Sequence, residues 1–172
     1  MTHSAGLLDL VGGLPVHPLI VHVAVVVLPA AAVALIVIMA LPRVRSVLRW
    51  SVIAALAVGT LAAWIAAESG EALSDRVGEA AVHEALGENL PTIAGITLAL
   101  GVVWAVICEL SARAARAASS AGAPTSTRAR ALLWLRIAVS IVTAGMAAYA
   151  VYYTIIVGHS GAVATWLPRV GG

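Results

Sequence analysis

LPVHPLIVHVAVVVLPAA, residues 14 to 31, decides the fold. From Val23 onward no polar side chain occurs until past Leu41, so about 20 consecutive residues are apolar enough to cross a bilayer as one helix. Yet the run opens with His17 and His22 and carries Pro18 and Pro29. An imidazole at a membrane boundary needs a partner, and a proline inside a spanning helix frees a carbonyl. Pro18 favours the first helical turn and biases His17 away from the α region, which makes His17 a boundary residue and leaves His22 inside the helix. Residues five apart on a straight helix point about 140° from each other, so the two imidazoles do different jobs. Pro29 frees the carbonyl of Val25, and the bend opens space beside His22.

The rest of the chain continues in the same way. Of 172 residues 62% are hydrophobic and only 10% charged, with mean hydropathy +1.02, a composition outside the soluble globular range. Uncharged stretches of spanning length run near residues 19–41, 50–67, 89–108 and 137–158, which predicts an all-α, four-helix integral membrane bundle in a single domain. The segment ESGEALSDRVGEAAVHEALGEN separates spans two and three, and its Leu73, Val77 and Ala80 predict an extra amphipathic helix at the interface. The connection RAARAASSAGAPTSTRAR reads as a flexible loop with basic ends. No Lys or Arg precedes the first run, so it lacks the basic start of a signal peptide and is expected to be retained.

Charge sets the expected orientation. Arg43, Arg45, Arg49, Arg113, Arg116, Arg128, Arg130 and Arg136 flank one end of the spans with Glu109 alone of opposite sign, whereas seven of the eight carboxylates fall at the other end. The positive-inside rule then puts the arginine loops in the cytoplasm and both termini outside. A net charge of +2 gives no footprint for nucleic acid, and a single cysteine, Cys108, excludes an internal disulfide or a cysteine-ligated metal. Small residues every four positions, Ala55, Gly59, Ala63 and Ala67, predict close helix packing. Asn89 followed by Pro91 predicts a helix N-terminus, and the tryptophans at 50, 64, 104, 134 and 166 read as interfacial anchors.

All five histidines fall at the outer end: His3, His17, His22, His83 and His159. Gly145, Ala148, Tyr152 and His159 share one stripe of span four, small below and polar above, a face able to admit something bulky. Glu79 stands four before His83, the spacing of a ligand and its carboxylate partner on a helix.

Four ordered blocks, HP-x-x-x-H at residues 17–22, AAESGEA, VHEALGENLP and GHSGAVATW, carry a resemblance over nearly the whole chain. Together they resemble the bacterial membrane proteins of domain-of-unknown-function family 2231. The resemblance implies a four-helix protein of the bacterial cytoplasmic membrane in a redox setting, with His17, His22, Glu71, His83 and His159 on characteristic positions. Where many members have a bulky aliphatic and a second glycine after the final histidine, this chain has Ser160, Gly161 and Ala162.

Three functions stay open on these residues. One is a haem b redox protein, with His22 and His159 as the expected axial pair, His17 and His83 as a second pair, and a redox partner protein on the outer face. Another is a divalent-metal site for Zn, Cu or Fe, drawing on His17, His22, His83, His159, Glu71 and Glu79, with Glu68 and Asp75 nearby. The third is a structural or assembly subunit whose histidines only cap helix ends. Hydrolytic chemistry is disfavoured, because the chain has no G-x-S-x-G elbow and no second histidine completing H-E-x-x-H after His83 and Glu84.

Overall fold

The computed structural model describes residues 10–77, 81–120 and 127–170. A short antiparallel hairpin, β1 (Leu10–Val11) and β2 (Leu14–Pro15), leads into the bundle, and its turn places Gly12 and Gly13 at positive φ. Five helices follow: α1 (Val16–Ala40), α2 (Pro42–Val77), α3 (Ala81–Gly87), α4 (Leu90–Ser120) and α5 (Thr127–Val170). The long helices α1, α2, α4 and α5 are each long and apolar enough to cross a membrane, and they form the four-helix bundle of a multi-pass membrane protein. α1 packs on α2 and α5, and α4 packs on the same two, so α1 and α4 lie across a diagonal.

Helices run well beyond the apolar stretches that announce them. α5 has 44 residues, about 66 Å at 1.5 Å per residue, where a hydrocarbon core is about 30 Å thick. Arginine, alanine and glutamate end the apolar run without ending the helix, because all three are good helix formers. The expected loop between spans three and four therefore shrinks: α4 continues to Ser120 and α5 resumes at Thr127. Likewise Leu73 and Val77 belong to the end of α2 rather than to a separate interfacial helix, which is only the seven residues of α3. Ala80 and Glu79 lie outside the described residues.

Small side chains let the helices close. A Cβ on Gly59 would lie 2.7 Å from the Leu28 Cα, so α2 crosses α1 nearly backbone to backbone. Leu28, Leu35, Leu56 and Trp104 fill the core between alanines such as Ala32, Ala63, Ala94 and Ala105. Trp104 is thus a core residue and not an interfacial anchor; its Nε1 donates to Ser140 Oγ at 2.9 Å, which satisfies the indole N–H inside the protein. Trp50, Trp64, Trp134 and Trp166 are exposed. The buried Thr97 and Thr154 hydroxyls donate to carbonyls one turn back at 2.8 Å, and Thr143 does so at 2.7 Å.

Two ends of the bundle differ in chemistry. At the end where α1 meets α2, Glu109 of α4 pairs with Arg49 of α2 and, at 2.9 Å, with Arg113 of its own helix. At the opposite end lie His17, α3 and the last turns of α2 and α5. There Asn89 stands at the N-terminus of α4 as expected, its carbonyl accepting from the Ile93 N–H at 3.1 Å and Pro91 in the first turn, while its side-chain amide donates back to the Ala85 carbonyl of α3 at 2.9 Å.

Candidate functional site

His17 and His83 meet at this second end. Their ring centroids are 6.3 Å apart with planes crossed at 77°. α1 starts at Val16 with Pro15 at the N-cap position, so His17 is already helical and not the boundary residue expected from Pro18; its Nδ1 donates to the Ala66 carbonyl of α2 at 2.8 Å. His83 sits on α3, and its Nδ1 lies 3.2 Å from the Val157 carbonyl and 3.0 Å from the Ser160 hydroxyl, both on α5. A carbonyl oxygen can only accept, so each ring carries a proton on Nδ1, and in the neutral form its lone pair is on Nε2. The carbonyl bond at Nδ1 fixes the orientation of each ring.

Glycines make room for the two rings. A Cβ on Gly70 would lie 3.1 Å from His17 Cε1, and one on Gly161 would lie 2.9 Å from His83 Cε1. Beside the pair is a cavity of about 360 Å³, within the range of small-molecule sites. Val21, Val25, Ala63 and Leu90 give it apolar walls, and Trp64 stands at its side. Glu68, Glu71, Glu84 and Glu88 also line it, and among the described residues no arginine does, so the described lining favours cations. Ser74 Oγ lies 3.4 Å from Glu84 Oε1 and donates to the Glu71 carbonyl at 2.8 Å.

The remaining sequence candidates fall elsewhere. His22 is exposed on α1 and its Nδ1 donates to the Pro18 carbonyl one turn back, so the space expected beside His22 opens beside His17 instead. His159 is exposed on α5. Neither lines the cavity that His17 and His83 share. The stripe Gly145, Ala148, Tyr152 and His159 faces outward, and α5 turns Thr143, Ala147, Ala150, Thr154 and Val157 into the bundle. Glu71 is an exposed residue at the cavity wall; Glu79 and His3 lie outside the described residues, and so does the side chain of Asp75. Among the described residues no three His, Cys, Asp or Glu side chains converge as a metal-binding group.

Sequence reading named Ser160 and Gly161 only as a departure from the family pattern and gave neither them nor Ser69 and Gly70 a part at the histidines, yet these four build the seats of both imidazoles. A signal for them exists: Ser-Gly occurs only twice in the chain, at 69–70 and 160–161. Compared with known proteins, the chain matches no family model, no curated protein and no solved structure.

Proposed function

We propose that the chain is a haem b-binding electron-transfer protein of the bacterial cytoplasmic membrane, with His17 and His83 as the pair that holds the iron. The observation that carries this is the spacing of the rings. Two imidazoles that share one metal from opposite sides need about 2 Å from metal to nitrogen and about 1.1 Å from nitrogen to ring centre on each side, or about 6.2 Å in all. The centroids of His17 and His83 are 6.3 Å apart, and their Nδ1 atoms are tied to carbonyls.

Ligand count favours haem over a bare ion. Structural zinc takes four protein ligands and catalytic zinc takes three, whereas haem iron needs two because the porphyrin supplies the others. Among the described residues two imidazoles come together without a third donor, which suits the second requirement. Bound there, haem b supplies reversible one-electron transfer. The protein's part is to fix both rings in one tautomer, to line the cavity with Val21, Val25 and Leu90, and to set carboxylates beside it that favour the more positive oxidised state.

In this reading the arginine end is cytoplasmic by the positive-inside rule and the histidine end faces outward, where a redox partner protein exchanges electrons. The resemblance to family 2231, with its redox setting, agrees with that placement. The test is an absorption spectrum of the protein purified from haem-replete cells, before and after dithionite. A Soret band and a sharp α-band on reduction support the proposal; a colourless protein that also fails to take up added haemin overturns it.

A further inference from the structure

Both imidazoles rest on the same device. The Ala66 carbonyl accepts from His17 Nδ1 at 2.8 Å and from the Ser69 hydroxyl at 3.2 Å. The Val157 carbonyl accepts from His83 Nδ1 at 3.2 Å and from the Ser160 hydroxyl at 2.8 Å. In each case the serine lies three residues after the carbonyl, and the next residue is the glycine against the ring. The two copies differ in one respect. Ser160 Oγ is itself 3.0 Å from His83 Nδ1, nearer than the carbonyl, whereas Ser69 touches only the carbonyl that His17 uses.

We infer that Ser69 and Ser160 are positioning residues that tune the donor strength of His17 and His83 in opposite directions. The inference deepens the proposed function and rests on the two rings being ligands of one group. Ser69 competes with His17 for the electron density of the Ala66 oxygen, so its hydroxyl weakens the Nδ1–H bond of His17. Ser69 is 2% exposed, and solvent does not take over its place when the hydroxyl is removed. Ser160 instead accepts from His83 and donates its own hydrogen bond to the Val157 carbonyl, a two-bond chain in which each bond polarises the next. Its hydroxyl therefore strengthens the Nδ1–H bond of His83. A stronger bond at Nδ1 raises the basicity of Nε2, and a more basic ligand favours the oxidised metal.

Two measurements on the full-length protein in detergent test this. Nitrogen-15 NMR of labelled imidazoles, without added haem, is expected to find both His17 and His83 as Nδ1–H tautomers in the unmutated chain. Ser69→Ala is expected to move the His17 Nδ1 proton downfield, and Ser160→Ala to move that of His83 upfield, with Ser160→Thr restoring it. An Nε2–H tautomer at either ring overturns the inference even if no variant folds, and so do shifts of the same sign in the two alanine variants. After haem loading, the midpoint potential falls in Ser69→Ala and rises in Ser160→Ala. If the protein takes no haem, the functional proposal fails, while the NMR outcome still decides whether the serines tune the rings.

Discussion

Gly59→Ala adds one methyl group where α2 crosses α1. The new carbon would lie 2.7 Å from the Leu28 Cα, 2.8 Å from its nitrogen and 3.0 Å from its Cβ. Comfortable contact is about 3.5–4.0 Å, so the shortfall is roughly 0.5–1.3 Å. The nearest two atoms belong to the backbone and cannot rotate away; the helices must separate, and the contacts along the crossing loosen together. Overpacking of this kind costs about 1–3 kcal/mol, against which alanine regains about 1 kcal/mol of helix propensity over glycine. The balance is a loss of up to about 2 kcal/mol, a factor of up to roughly 30 in the folded-to-unfolded ratio. Gly145→Ala is the control, because nothing lies within 4 Å of a Cβ there. It is expected to leave stability unchanged or to raise it by up to about 1 kcal/mol. Reversible unfolding in mixed micelles with rising SDS fraction, followed by circular dichroism, reads both variants. If Gly59→Ala unfolds at the same SDS fraction as Gly145→Ala or a higher one, the backbone-to-backbone crossing is refuted.

Trp104 tests the core at the level of the α4–α5 contact. Trp104→Phe keeps most of the ring but loses the bond to Ser140, at an expected cost of about 0.5–1.5 kcal/mol, whereas Trp104→Ala is expected to cost about 3–5 kcal/mol in the same unfolding assay. At the arginine end, Glu109→Gln is expected to lower the melting temperature more than Arg113→Gln. The first change leaves the largely buried Arg49 guanidinium without its carboxylate, while the second removes an exposed partner. A thermal-shift series in which Arg113→Gln is the more damaging contradicts that ranking. Gly161→Ala is expected to weaken haem retention about 10- to 100-fold by displacing the His83 ring, read by titration with haemin, while Gly158→Ala leaves it unchanged.

Span number was legible because hydrophobic length alone marks a crossing helix, and residues 14–41 have almost nothing but hydrocarbon in them. The close packing at Gly59 and Ala63 was legible for a similar reason, since only small residues repeat there. Helix rotation was not. In lipid the outward face is as apolar as the inward one, so α5 offered no contrast between the buried stripe through Ala147 and the exposed one through Ala148. For that reason His159 was expected inside and lies exposed. Trp104 misled in the same way: its sequence position near a span end resembles an anchor, and its buried bond to Ser140 is a tertiary fact. His17 and His83 are joined by helix ends far apart in the chain, and their nearness follows from how α3 folds back between α2 and α5.

The most direct test of the central claim is haem retention in four single variants, His17→Ala, His83→Ala, His22→Ala and His159→Ala. Each is purified from haem-replete cells and assayed for haem per protein by the pyridine haemochrome method. Loss of haem in the first two with near-full retention in the last two is the predicted result. Retention in His17→Ala and His83→Ala, or loss confined to His22→Ala and His159→Ala, contradicts the account.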